Sequence, residues 1–346
     1  MTHDNPYRAQ PPKAFWRSAV AAVHFSDMRD LSGPLSLKKT DRIATAGSCF
    51  AQHIGRALKE RGANYIDLEV APAYLTKEEA SDNGFGVYSC RYGNLYTVRQ
   101  LLQLARECLG RFTPVELVWE KDGRFYDAMR PSVDPVGHNS SATVLQLRKS
   151  HLANVLKMFH ELDVFVFTLG LTEAWVSIDE TTVFATCPGT VAGTFDPLKY
   201  KFKNFTHSEI MKDFTDFYAI LKEINPDARI LLTVSPVSLA ATATKHHVLV
   251  ANTLSKSTLR AVAGELSISL PDIEYFPSYE IITTHANHCA FYDPDLRSVN
   301  RFGVNHVMDH FFRALTFETD QVSVGSEAQS RDAIVCDEEK LANFQT

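Results

Sequence analysis

Ser48 and Cys49 stand side by side in "TAGSCFAQHIGRAL", Thr45 to Leu58, where the apolar run "DRIATAG" gives way to a helical pattern. Both are potential nucleophiles. In a parallel sheet, ligands gather beyond the C-terminal ends of the strands. The free N–H groups of a helix starting there can hold a developing oxyanion. Gly47 permits a sharp turn before Ser48. A serine so placed suits acyl transfer, and it equally suits helix capping, the commoner use of serine at such a junction. Cys49 is a thiol nucleophile activated by the helix terminus on one reading and a small buried residue on the other.

The surrounding elements must hold this turn. Extended runs are expected at Arg42–Ala46, Tyr65–Val70, Asp163–Thr168, Arg229–Val234 and Ile273–Phe276. Helical patterns fall at Phe50–Arg61, Leu95–Leu109, Ser141–His160, His207–Ile224, Val248–Leu266 and Phe302–Leu315. Val98, Leu101, Leu102, Ala105 and Leu109 have the spacing of one buried helix face. "THSE" at Thr206 reads as a capping box. This alternation predicts a parallel α/β sheet with helices on both faces. Inserts near 113–137 and 176–205 carry small hairpins and loops, with Asp122-Gly123 a strong hairpin turn. Residues 1–40 read as an N-terminal arm, 41–317 as a single domain, and 318–346 as a polar, mobile tail.

Of 346 residues, 45% are hydrophobic and 22% charged, with a net charge of −6. That balance suits a packed core and argues against a nucleic-acid binder. The opening "MTHDNPYRAQPP" shows no apolar signal core, and no apolar run approaches a membrane span. The six cysteines are scattered without a CxxC pair, so neither a metal ribbon nor a disulfide framework is expected. The expectation is a soluble cytoplasmic protein needing no cofactor and no metal.

"GSCFA" at 47–51, "YGNLYTVRQLLQL", "FVFTLGLTEAW", "CPGTVAGTFDP", "LTVSPVSLAATATKHHVLVANTLSKSTLRAVAGEL" and "YFPSYEI" resemble, in order, the blocks of the GSCFA family. That family is grouped with the SGNH (GDSL-like) hydrolases. The resemblance implies a three-layer α/β/α sandwich around a central, mostly parallel sheet, SGNH-like and flavodoxin-like in plan, and acyl-ester chemistry. It makes Ser48 the nucleophile, its own N–H and Gly170 part of the oxyanion hole, and Thr172 the occupant of a position usually held by asparagine, a better donor. Asn94 and Gly93 are replacement donors or, equally, a cap before the next helix. Asp295-Leu296-Arg297-Ser298 aligns with a final Asp-x-x-His block, keeping the aspartate and losing the histidine.

A serine nucleophile needs a base within reach. His247, opening a helix at the C-terminal rim, is the first candidate, with Asp295 or Glu173 to orient it; His285 and His288 are the reserve. Trp175, Arg297 and Ser298 are candidate substrate contacts. The expected activity is that of a serine esterase or an O-acyltransferase, acting on an O-acyl ester of a carbohydrate or glycolipid. A non-catalytic glycan-binding or scaffold protein on the same fold, or a thiol enzyme using Cys49, are the alternatives.

Overall fold

The computed structural model describes residues 5–315, 334 and 336–344. In chain order its elements are β1 (Ile43–Gly47), α1 (Phe50–Glu60), α2 (Lys77–Asp82), α3 (Val98–Cys108), β2 (Val118–Lys121), β3 (Arg124–Asp127), α4 (Ser141–Glu161), β4 (Val164–Leu169), β5 (Glu173–Ser177), β6 (Val183–Phe184), β7 (Tyr200–Asn204), α5 (His207–Ile224), β8 (Arg229–Val234), α6 (Val248–Ser269), β9 (Ile273–Tyr275), α7 (Ser278–Thr283) and α8 (Arg301–Ala314). The central sheet is four-stranded and parallel throughout, in the order β1-β4-β8-β9.

Strand side chains alternate between faces, so each face of this sheet has its own core. Ala44, Ala46, Phe165, Phe167, Ile230 and Leu232 pack with α3, α4, α5 and α6. Ile43, Val164, Val166 and Leu231 pack with α1, α7 and α8. The result is the expected α/β architecture with helices on both faces. Burying each large apolar side chain contributes about 1.5–3 kcal/mol, which is why these runs read as continuous hydrophobic stretches.

One expected strand is absent. Tyr65–Val70 makes only an isolated parallel bridge, Tyr65 with Ile43. By Leu68 the chain has turned away, and the Leu68 N–H donates to the Ser89 carbonyl at 3.0 Å. The Glu69 carboxylate draws it inward, taking the Arg91 N–H and the His151 ring at 2.6 Å. The bridge still marks where an outer strand would lie. With it, the spatial order is that of a flavodoxin-like sheet, whose connections leave β1 and β4 in opposite directions. In such a sheet the ligand crevice falls at the C-terminal ends of those two strands.

The hairpin β2–β3 turns on Asp122 and Gly123, with φ of 52° and 72°, the paired left-handed conformation that Asp-Gly favours. The second insert forms an antiparallel sheet β6-β5-β7. Within the N-terminal arm, Leu35 and Leu37 are buried in the core beneath α8. The C-terminal segment departs from expectation. Residues 316–333 lie outside the described residues, but Cys336 and Asp337 are buried against the domain, and Asp337–Phe344 forms 3-10 turns.

Candidate active site

The turn after β1 is fixed by its glycine. Gly47 has φ 131°, and a Cβ there would collide with the backbone of Thr168. The Ser48 N–H then donates to the Thr168 carbonyl at 3.1 Å, carrying the β1–β4 ladder one residue past the strand. The Ser48 hydroxyl is buried and has no hydrogen-bond partner among the described residues. The hydroxyls of Thr168 and Thr172, at the end of β4 and just beyond it, share this condition. Buried polar atoms are nearly always paired, so three unpartnered hydroxyls at one end of a sheet make that end the candidate site. Gly170 lies against Ser48: a Cβ on Gly170 would stand 2.9 Å from the Ser48 Cβ.

The expected oxyanion donors divide. The backbone N–H groups of Ser48 and Gly170 are already committed, to Thr168 O and to Tyr96 O at 3.2 Å. Ladder and loop closure thus use the same groups that the expected oxyanion role calls on. The Thr172 N–H binds the Ser255 hydroxyl at 3.1 Å, leaving the threonine side chain unpartnered. Asn94 is buried rather than a cap; Thr97 caps α3 in a box with Gln100. The Asn94 carbonyl accepts from Tyr88 Oη at 2.6 Å, and its amide donates to Asp337 Oδ2 at 2.8 Å. Gly93, at φ 69°, makes the turn that presents it.

The acid and base candidates are dispersed. His247 is exposed at the N-cap of α6, its Nδ1 accepting from the Leu249 N–H at 3.2 Å. Asp295 closes a local turn, accepting from Ser298 Oγ at 2.6 Å and from the Arg297 and Ser298 N–H groups at 2.9 Å. Against the upward push of burial, the Ser298 hydrogen bond holds this carboxyl below its ordinary value. Glu173 accepts from Thr242 Oγ1 at 2.8 Å, and burial pushes it up. His285 and His288 are exposed, His285 stacking on Trp16 at 5.6 Å. No described hydrogen bond joins any of these histidines to Ser48, Asp295 or Glu173.

A different set of groups converges instead. Lys256 is only 1% exposed, and its Nζ donates to the Gly170 carbonyl at 2.8 Å. Burial pulls its pKa down to about 8. Gly170 thus touches Ser48 on one side and Lys256 on the other. Arg297 does not pair with Asp295 through its guanidinium. It reaches Ser238 O at 3.0 Å, Cys336 Sγ at 3.4 Å and Glu338 Oε2 at 3.3 Å. The Cys336 and Cys49 thiols are both buried. The Asp337 N–H donates to Tyr96 Oη at 3.1 Å. Residues Cys336 to Glu338 therefore lie across the crevice. An isolated cysteine in an acidic tail carried no signal of this, and Lys256 read from sequence only as a structural or substrate-facing helix residue.

Beside this segment opens a cavity of about 440 Å³, within the range of small-molecule sites. Leu171, Trp175, Phe184, Leu239 and Phe344 supply apolar wall, Glu173 and Thr242 a polar corner, and Asp337 and Glu338 the side toward the crevice. Trp175 meets Phe195 edge-on at 5.1 Å. Among the described residues, no group of three or more His, Cys, Asp or Glu side chains could hold a metal ion, and no helix is long and apolar enough to cross a membrane.

A parallel sheet with helices on both faces and a glycine-turned serine at its switch point defines an α/β protein whose candidate site lies at the ends of β1 and β4. The chain belongs to the GSCFA family, whose pattern matches residues 42–311. No curated protein matches it.

Proposed function

We propose that the chain is an SGNH-like serine esterase or O-acyltransferase that forms an acyl-serine at Ser48. The observation that carries this reading is the Ser48 hydroxyl itself, buried and unpartnered at the switch point beside two further orphaned hydroxyls. An ester carbonyl bound there is attacked by Ser48 Oγ. The tetrahedral oxyanion takes hydrogen bonds from the Thr172 hydroxyl and, once Asp337 withdraws, from the Asn94 amide. Collapse expels the alcohol, and water or a carbohydrate hydroxyl then takes the acyl group. The apolar cavity suits the acyl chain, and the polar surface around it suits a glycan or glycolipid acceptor.

Lys256 is the better-placed proton acceptor. It lies across one residue from Ser48, and a lysine brought down to about 8 is partly neutral near physiological pH. His247 is nine residues earlier on α6, about 13 Å along the helix axis.

A fluorophosphonate probe on the full chain tests the reading. Labelling lost in Ser48→Ala supports it. Iodoacetamide labelling lost in Cys49→Ser, with no fluorophosphonate adduct, moves the chemistry to the thiol. Labelling by neither, with the fold intact by circular dichroism, supports the second reading, a non-catalytic glycan-binding or scaffold protein. That alternative draws on Ser298 at the position where a base is usual.

A further inference from the structure

Two exposed stretches leave the wall of the cavity, and both present aliphatic side chains to solvent. The first follows Phe195, which lines the cavity. Asp196 accepts the Leu198 N–H on its carboxylate at 2.9 Å, and the Lys199 and Tyr200 N–H groups on its carbonyl at 3.0 and 2.9 Å. This tight turn puts Leu198 at its tip, 82% exposed, with an exposed Lys199 beside it. The second stretch follows Ala241, Thr242 and Ala243, also on the cavity wall. Lys245, His246 and His247 come next, all exposed, and lead into α6. On the outward side of its first two turns stand Leu249, 66% exposed, Val250 and Leu254, 54% exposed. The inward side holds the helix in place. Ala251 packs with Tyr96, Leu171 and Leu239, three cavity residues. The Ser255 hydroxyl takes the Thr172 N–H, and Lys256 reaches the Gly170 carbonyl.

We propose that these two stretches are lips that seat the mouth of the cavity on an anionic lipid surface, so that acyl chains enter from the bilayer. Single exposed apolar residues are ordinary, whereas apolar residues grouped around one cavity mark an interaction surface. The charges name the partner. Lys199 and Lys245 flank the aliphatic residues, and each lysine near an anionic leaflet adds attraction while its stem lies along apolar surface. Aliphatic side chains below the headgroups with cations at their level is the interfacial pattern. The apolar surface also continues inward. Phe195 and Phe344 are exposed and line the cavity, and Leu171, Trp175 and Phe184 extend its wall. A second copy of the chain suits this face less, because a two-fold contact would set the lysines against themselves.

The delivery of a glycolipid acyl ester rests on the reading of Ser48 given above; the docking does not. The test sediments the full chain with vesicles of phosphatidylcholine, alone and mixed with phosphatidylglycerol. The expected result is binding to the mixed vesicles that added salt weakens, with little binding to phosphatidylcholine alone. Leu198→Gln combined with Leu249→Gln, both at exposed positions, should weaken vesicle binding by about tenfold or more, with the circular dichroism spectrum unchanged. Lys199→Glu combined with Lys245→Glu should abolish the preference for phosphatidylglycerol. Recovery of the unmodified chain in the supernatant with both vesicle types overturns the proposal, as does binding that the leucine variant leaves intact. Self-association in sedimentation velocity that the leucine variant abolishes, without vesicle binding, assigns the face to a second copy instead. Ser48→Ala should bind vesicles as the unmodified chain does, so a chain whose Ser48 never labels still decides the docking.

Discussion

The Asn94 side-chain amide donates to the Asp337 carboxylate at 2.8 Å, joining residues 243 apart in sequence. The contact sets an oxyanion-donor candidate against the chain's own C-terminal segment, which takes one of the two N–H donors of that amide while it is seated. A hydrogen bond to a charged group contributes about 1.5–3 kcal/mol. Removing residues 334–346 is therefore expected to raise the rate of fluorophosphonate labelling at Ser48 by about tenfold or more. Labelling kinetics of the truncated and full chains under reducing conditions check this; equal rates would show that the segment does not obstruct the serine.

The choice of base has a pH signature. Lys256, lowered to about 8 by burial, must lose a proton to act. The groups with charges felt at its site are Glu338, Cys49, Cys336 and Arg297. The expected profile of kcat/KM on a p-nitrophenyl ester rises with pH through about 8, and Lys256→Met lowers turnover by about two orders of magnitude or more. A profile rising near pH 6–7, about the ordinary range of an imidazole, with loss in His247→Ala instead, returns the role to the histidine.

The cavity beside the crevice should discriminate acyl chains by length. Each methylene moved from water into apolar surroundings contributes about 0.8 kcal/mol, roughly fourfold in kcat/KM. Hexanoyl esters are thus expected to outperform acetyl esters by more than tenfold. Ala241, on the cavity wall, offers the control: Ala241→Trp should remove the preference for the longer chain while leaving acetyl turnover within a few-fold. Indifference to chain length in the unmodified chain would place the acyl group elsewhere.

Gly47→Ala tests the turn. A φ of 131° together with the clash against Thr168 leaves an L-residue no relaxed position. Strain of this kind costs about 1–3 kcal/mol before the overlap is counted. A urea midpoint shift matching at least about 2 kcal/mol is expected, against near-neutral behaviour for Gly62→Ala, where a Cβ meets nothing within 4 Å though φ is 68°, so that only about 1 kcal/mol of backbone strain applies.

Part of the acid sensitivity should come from α8, beside that of His53 and His151, which burial also lowers to about 4. His310 is buried, its Nε2 3.3 Å from that of His306, and burial lowers its pKa from 6.5 to about 4. The unfolded chain binds this proton first as pH falls, so stability is present above pH 6.5 and is lost on the way down to about 4. Thermal midpoints measured across that interval should fall, and His310→Leu should flatten the decline. An unchanged slope in the variant would assign the loss to other groups.

Sequence made much of the frame legible. The apolar runs at β1, β4, β8 and β9 and the amphipathic faces of α3 and α5 announced a parallel sheet with helices on both sides, because burial on two faces leaves a continuous hydrophobic signature. Asp122-Gly123 fixed its hairpin by backbone conformation alone. Tyr65–Val70 misled because β propensity is decided by neighbours, and here Glu69 found better partners off the sheet edge.

The Ser48 turn could be read from sequence for the same local reason: a glycine at positive φ, then a small polar residue, then a helix. Who stands around Ser48 could not. Lys256 meets Gly170 and Arg297 meets Cys336 only because distant segments end close together, and hydrogen bonds and charge pairing between such segments depend on distances that no local pattern encodes. Tertiary structure alone also decided that Ser48 and Gly170 give their backbone N–H groups to the fold, and that a polar acidic tail ends buried, its Asp337 bonded to Asn94. Local sequence thus determined the elements and the turn, while long-range packing determined which side chains share the site.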